Sequence, residues 1–218
     1  QLETSIKQLS GDLTLQVPRR SLATAEDYLR PVRALPEVES AALRLNWFGM
    51  VGRRGSRAVD DPRAADLNGL MLAGVEGEEA AALPPPSADP SAPAPLLMGK
   101  FLAQQLGLSP GEAVEVFSYR DSGRSKVFVR KTFMLAGYVN SGRYDQDLNR
   151  ALAHRADVAA LAQSEPSFSE IVLRARPGTT EEALMERTAI ALRDAGLSET
   201  DFPTLRTWRE QGGQLLRA

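Results

Sequence analysis

Residues 95–114 read PLLMGKFLAQQLGLSPGEAV, a stretch that combines several local structures in a short span. The run from Met98 to Leu106 predicts a short helix, and Gly107 predicts its end, because glycine readily adopts the left-handed conformation that closes a helix. Ser109 to Glu112 predict a tight turn, and Ala113 to Phe117 predict a strand. The middle of the chain therefore contains a helix, a turn and a strand in close succession.

The N-terminal part of the chain has a strand–helix–strand pattern. Apolar and polar residues alternate over residues 13–17, which predicts a half-buried strand. Thr24 is placed to cap a following helix that Pro36 ends, and Val38 to Leu45 predict a second strand.

A similar pattern occurs near the C-terminal end. Glu170 to Arg176 predict a strand, and Thr179 with Glu182 predict a capping box at the start of a helix. Gly196 is placed to close this helix, and Thr204 to Trp208 predict a return strand. Two such units at opposite ends suggest that they pair into one split α/β layer, with the segment between them inserted.

The segment between these units is predicted to be mostly strands. Residues 84–95 contain six of the fourteen prolines, which predicts an exposed loop with polyproline bias. The other predicted elements are strands over Leu67–Val75, Lys126–Val139 and Arg150–His154, a hairpin tip at Asp121–Gly123, and a short helix over Ala156–Gln163.

Composition argues against several classes of function. The 218 residues include 26 Lys and Arg against 28 Asp and Glu, so no net positive charge favours nucleic acid, and we expect no nucleic-acid partner. The chain has no cysteine and a single histidine, His154, and it has neither a glycine-rich nucleotide motif nor a nucleophile elbow. The sequence therefore predicts a protein that is not an enzyme, with no catalytic residues, cofactor or metal.

Five stretches, in order, resemble the extracytoplasmic domains of FtsX/MacB-type ABC-transporter permeases. They are Gly11–Leu15, Gly69–Glu76, Pro95–Val114, Phe133–Val139 with the turn at Ser141–Asp147, and Thr207–Gln211 with Leu215–Leu216. Among the subfamilies, the lipoprotein-releasing LolC/LolE-type permeases are the most similar, on Tyr144–Asp147 and the following Ala151–His154. The resemblance covers about three quarters of the chain.

The resemblance implies an α+β fold. Residues 1–45 and 168–218 would form a porter-like split βαβ subdomain, and residues 46–167 an inserted, mostly β, sabre-like subdomain. The chain would be a loop excised from between two transmembrane helices, with its ends close together, on the periplasmic side of the inner membrane. It would transmit ATP-driven motion rather than perform chemistry, because this family hydrolyses ATP in a separate subunit or domain.

The resemblance also implies partners. They are a cytoplasmic ABC ATPase, a second permease copy, a periplasmic carrier or adaptor, and a lipoprotein or lipid cargo. The sequence leaves open the cargo, the choice between homodimer and heterodimer, the number of membrane helices and the existence of a carrier or adaptor. The rival hypothesis is a stand-alone soluble protein-binding module that uses the proline-rich loop as a tether.

Two groups of residues are candidates for partner binding. Tyr119, Arg120, Arg124 and Lys126 lie where LolC-type domains carry a carrier-binding hairpin, and Arg and Tyr are enriched in interfaces. The alternative is a solvated hairpin tip without a partner. Trp47 and Phe48 precede an Arg-rich turn and could contact lipid headgroups or an acyl chain. The alternative for these two residues is packing in the core.

Overall fold

A computed structural model describes residues 11–55, 68–89, 91–121, 126–139, 147–163 and 167–213, with backbone only at residues 120, 121, 126 and 211–213. The strands are β1 Leu13–Gln16, β2 Val38–Arg53, β3 Asn68–Val75, β4 Ala94–Gly99, β5 Ala113–Asp121, β6 Lys126–Val139, β7 Arg150–His154, β8 Glu170–Ala175 and β9 Thr204–Thr207. The α-helices are α1 Ala25–Arg33, α2 Lys100–Gln105, α3 Arg155–Ala162, α4 Glu181–Asp194 and α5 Trp208–Gly213, and Gly77–Ala82 forms a 3-10 helix. Contacts divide the chain into two compact units, Gln1–Arg44 with Phe168–Ala218, and Leu45–Ser167.

The first unit is an antiparallel sheet packed against two helices. Its strand order is β2, β8, β1, β9, with Leu13 opposite Leu173 and Leu15 opposite Ile171. These side chains are almost fully buried with Tyr28 of α1. The core therefore forms from one face of the sheet and the apolar sides of α1 and α4, as the amphipathic patterns predict.

Local signals set the ends of both helices. Thr24 caps α1 in a reciprocal capping box with Asp27. The predicted capping box of Thr179 and Glu182 in α4 is wrong, because Thr180 is the cap and its side chain accepts a hydrogen bond from the Ala183 N–H. Helix α4 ends as predicted at Gly196, whose φ of +82° is a conformation that glycine adopts without steric cost.

The second unit is a sheet that closes on itself. The strands follow the order β3, β7, β4, β6, β5, β2, and β2 also pairs with β3. The pairs β3–β7 and β4–β6 are parallel, and the other pairs are antiparallel. The inward side chains form one core that includes Leu72, Leu96 and Phe133. Closure gives every strand of this ring a paired neighbour on both sides.

The structure corrects several predicted boundaries. Met98 and Gly99 belong to strand β4, and the helix begins only at Lys100. Leu96 and Met98 are fully buried between β6 and β7, and a strand in such a place can be apolar at successive positions, which a local pattern does not distinguish from a helix. Ala94 and Pro95 also join β4 rather than the proline-rich loop. The second strand continues to Arg53, and Trp208 starts α5 instead of ending β9.

The mixed, sheet-dominated α+β class predicted from the sequence is confirmed. Among the helices in the described part of the chain, none combines the length and apolar character needed to cross a membrane. The described residues also contain no group of three His, Cys, Asp or Glu side chains placed to hold a metal ion. The two chain ends, which the sequence predicted to be close together, lie outside the described residues, as does the predicted hairpin tip at residues 122 and 123.

Candidate functional site

Strand register aligns three aromatic residues across neighbouring strands of the second unit. Tyr119 of β5 lies directly opposite Phe128 of β6. The ladder between β2 and β5 ends at the pair of Met50 and Phe117, and extending the same antiparallel alignment by two residues puts Phe48 level with Tyr119. We call Phe48, Tyr119 and Phe128 the aromatic row.

A side-chain hydrogen bond supports the alignment of β2 with β5. The Ser118 hydroxyl donates to the Phe48 carbonyl oxygen at 2.8 Å. Between these strands Gly49 permits a close approach, because a Cβ there would lie 2.8 Å from the Phe117 carbonyl oxygen. The sequence therefore brings β2 near β5 at the position of the row.

The aromatic row lies on the outside of the ring. Successive side chains in a strand point to opposite faces, and the positions next to the row, such as Val129 and Trp47, pack inward. The exposed fractions are 68% for Phe48, 46% for Tyr119 and 39% for Phe128. Adjacent exposed aromatic side chains are typical of an interaction surface.

The rings of the row are held by their neighbours. The centroids of Tyr119 and Phe128 are 5.6 Å apart with an interplanar angle of 64°. Phe128 also contacts the buried Phe117, with the centroids 5.7 Å apart. Edge-to-face packing of this kind fixes ring orientation, so less side-chain entropy remains to be lost on binding.

The apolar surface continues past the row onto β3. Phe48 is paired with Met71. A shallow cleft of about 410 Å³ opens beside them, lined by Phe48, Gly49, Asn68–Met71, Leu148 and Asn149. A Cβ on Gly69 would meet nothing within 4 Å, so the cleft is open at that position.

One ion pair lies on the same outer face. An Arg130 guanidinium nitrogen is 3.9 Å from a Glu115 carboxylate oxygen, and the Glu115 side chain is mostly buried. Among the described residues, that Glu115 oxygen, Oε2, has no hydrogen-bond partner. Removing Arg130 would leave a buried carboxylate without its cation, which makes this pair a structural component of the face.

The structure separates the residues that the sequence grouped. Tyr119 and Phe48, predicted in two different patches, come together on one face. Trp47 points the other way and packs against the core of the ring, so it follows the core-packing alternative and leaves the candidate surface. Arg124 and the side chains of Arg120 and Lys126 lie outside the described residues, and their role stays a prediction.

Sequence reasoning missed Phe128 and Met71. Both lie in strands that were correctly predicted. Alternation along a strand divides its residues between two faces but does not say which residues of neighbouring strands lie side by side. The missing information was the register between strands, because only register aligns Phe128 with Tyr119 and Met71 with Phe48.

The first unit contains a polar cluster around Asp201. Its carboxylate accepts hydrogen bonds from the Ser198 hydroxyl at 2.6 Å, the Leu22 N–H at 2.8 Å and the Ser21 hydroxyl at 2.9 Å. These hydrogen bonds hold the pKa of the Asp201 carboxyl below its usual value, and the bond from Ser198 contributes most.

Tyr28 connects the same cluster to the core. Its hydroxyl donates to the Asp201 carbonyl oxygen at 2.6 Å, and burial raises the pKa of this phenol. The cluster fastens the segment before α1 to the segment before β9. Since its polar atoms bond to one another, the arrangement is typical of a structural clasp.

Comparison with solved structures identifies the fold. Two solved structures with this fold are extracytoplasmic domains of ABC-type transporters. One is the extracellular domain of the noncanonic ABC-type transporter YknZ from Gram-positive bacteria. The match covers 88% of this chain and 98% of the YknZ domain, with a TM-score of 0.54 and 12% sequence identity. The other is the periplasmic region of MacB from Actinobacillus actinomycetemcomitans. The match covers 100% of this chain and 98% of the MacB region, with a TM-score of 0.59 and 8% sequence identity. No protein-family model matches the sequence, and no curated protein matches it significantly. The predicted resemblance to MacB-type domains is thus confirmed for the fold.

Proposed function

We propose that this chain is the extracytoplasmic domain of an ABC-transporter permease and transmits ATP-driven motion to a cargo or partner outside the membrane. The observation that carries the proposal is the match over nearly the full length of two transporter domains, each covered to 98%. ATP hydrolysis would then occur in a separate cytoplasmic subunit or domain, so this chain needs no catalytic site of its own.

The described residues supply features that suit a moving part. A closed ring with a continuous core deforms little, so it would move as a rigid body when the membrane helices shift. The aromatic row gives this body a surface on which a partner can dock. Lipoprotein release to a carrier and MacB-type export through an adaptor are the two forms of transport that we propose for it.

The location is tested by labelling from outside the cell membrane. Because this chain has no cysteine, the variant Leu22→Cys introduces a single thiol at a side chain that is 92% exposed. In spheroplasts that produce the full-length protein, other cysteines having been replaced, a membrane-impermeant maleimide should label it. Labelling only after the membrane is permeabilised would contradict an extracytoplasmic location.

The role in transport is tested by separating ATP hydrolysis from transport. In the complete transporter, the double variant Phe48→Ser with Tyr119→Ser should keep basal ATPase activity and lose transport, because the row lies outside the ring core. The matched control is Ile190→Ser, an exposed apolar residue of the first unit that should leave both activities unchanged. Unchanged transport by the double variant would show that the row is not the docking surface.

A further inference from the structure

We propose that Met50 and Met71 form a binding site for a soft monovalent cation, copper(I), on the outer face of the second unit. The inference rests on the placement of two thioether sulfurs beside an aromatic ring and does not require the transporter role. Thioether sulfur is a soft ligand of the kind that selects copper(I), whereas hard ions such as Mg²⁺ and Ca²⁺ prefer oxygen ligands. The site binds the ion without changing its oxidation state.

Strand register puts both methionines on the same face of neighbouring strands. Met50 of β2 is paired with Gly69 of β3, and two residues along the same ladder Phe48 is paired with Met71. Residues two apart in a strand share a face, so Met50 lies on the outer face with Phe48, and Met71 lies there opposite Phe48. The two methionines are thus diagonal neighbours, about 7 to 8 Å apart, a separation that long side chains can bridge.

Both thioethers are available to a ligand. The side chains of Met50 and Met71 are partly exposed, and among the described residues neither packs against the core of either unit. Their sequence neighbours Val51 and Leu70 are the residues that point into the core of the ring. A methionine side chain is unbranched and has three rotatable bonds, so the two sulfurs can converge without movement of the backbone.

The space between the two methionines is open. Gly69 lies opposite Met50 and brings no side chain, and a Cβ there would meet nothing within 4 Å. The opening is part of the shallow cleft of about 410 Å³ that Phe48, Gly69 and Met71 line. Copper(I) has a filled d shell, as Zn²⁺ has, and so imposes no rigid coordination geometry of its own. Converging sulfurs from two flexible side chains therefore suffice to hold it.

Phe48 supplies a third component of the site. Its ring is 68% exposed and lies directly opposite Met71 on the outer face. A cation within about 6 Å of an aromatic ring centroid is attracted by the negative face of the ring. A methionine sulfur beside an aromatic ring is itself a favourable contact. The ring can therefore stabilise the ion and shield it on one side from water.

No other pair among the five methionines, all of which lie within the described residues, is placed in this way. Met98 is fully buried, and Met185 packs against the core of the first unit. Met134 is 40% exposed but stands on β6, away from the β2–β3 ladder. The chain has no cysteine to compete for a soft ion. Copper(I) is therefore directed to Met50 and Met71.

Titration of single variants with copper(I) tests the site. The full-length protein is titrated without oxygen and with excess ascorbate, while bicinchoninate competes for the ion. Met50→Leu and Met71→Leu should each lower the affinity at least about tenfold, because leucine keeps the volume of the side chain and removes the sulfur. Met134→Leu is the matched control, since it removes an exposed thioether elsewhere on the ring and should leave the affinity unchanged. Equal affinities in the unchanged protein and all three variants would overturn the proposal.

A gain of affinity separates direct ligation from an indirect effect on folding. Met71→Cys offers a thiolate in place of the thioether and should raise the affinity for copper(I) at least about tenfold. Phe48→Leu keeps both sulfurs and removes the ring, so it should lower the affinity by about two- to fivefold. X-ray absorption at the copper edge should show sulfur neighbours in the unchanged protein that are lost in the double variant Met50→Leu with Met71→Leu. If copper in the unchanged protein has only nitrogen and oxygen neighbours, the binding is adventitious and the proposal is wrong.

Discussion

The two units place their apolar side chains differently. Among the described residues of the first unit, the exposed large apolar ones are Leu22 and Ile190, and the aromatic Tyr28 is fully buried. In the second unit, the exposed ones, among the residues described, include five aromatic side chains: Phe48, Phe101, Tyr119, Phe128 and Tyr138. The comparison suggests that the first unit is built for internal cohesion and the second for contact with other molecules.

The largest effect should come from the inner packing of the second unit. A Cβ on Gly99 would collide with the backbone of Asp147, which is buried and cannot move aside easily. Gly99→Ala should therefore lower the free energy of unfolding by about 3 kcal/mol, as overpacking of a core does. Urea denaturation of the second unit measures this loss. Gly69→Ala is the control, because a Cβ there meets no atom, and an equal loss in both variants would disprove the steric explanation.

A smaller effect is expected in the first unit at the clasp around Asp201. Tyr28→Phe removes the hydrogen bonds of the hydroxyl with the Asp201 carbonyl oxygen and with the Ser21 hydroxyl, and keeps the buried ring. The variant should lose about 1 to 2 kcal/mol of unfolding free energy, because each hydrogen bond contributes about 0.5 to 1.5 kcal/mol and Ser21 keeps its bond to the Asp201 carboxylate. Thermal denaturation followed by near-UV circular dichroism measures it. No change in the melting temperature would show that the clasp does not stabilise the first unit.

The same clasp predicts a pH dependence for the first unit. Because the pKa of Asp201 is lowered in the folded state, its stabilisation is present above the usual carboxyl pKa of about 3.8 and is lost as the pH falls through the lower folded value. Asp201→Asn should flatten the decline in stability below about pH 4. Ser198→Ala, which removes the main cause of the shift, should flatten it in part. If the unfolding free energies of the unchanged protein and of both variants fall equally as the pH is lowered into the acid range, the pKa of Asp201 is not lowered in the folded state.

The smallest effect on stability should come from the outside of the ring. Phe48→Ser changes a side chain that is 68% exposed, so the free energy of unfolding should change by less than about 1 kcal/mol. Phe133→Ala, at a fully buried position of the same ring, should cost about 3 to 5 kcal/mol. Similar losses in these two variants would remove the distinction between an inner core and an outer docking face.

Local chemistry explains which parts of the fold the sequence predicts. The cap at Thr24, the helix end at Gly196 and the long strand Lys126–Val139 depend on neighbouring residues, and each is observed. The strand at Met98 depends on burial between β6 and β7, which no local pattern contains. Trp47 and Phe48 show the same limit for the site, because their alternation is visible in the sequence but the choice of inner face is not.

Ring closure has a consequence for how such a surface can change over evolutionary time. Along β2, the inward Trp47 and the outward Phe48 are adjacent in sequence but serve different environments. A mutation at an outward position can change which partner binds while the interior keeps its shape. New specificities can therefore evolve without passing through variants that fail to fold.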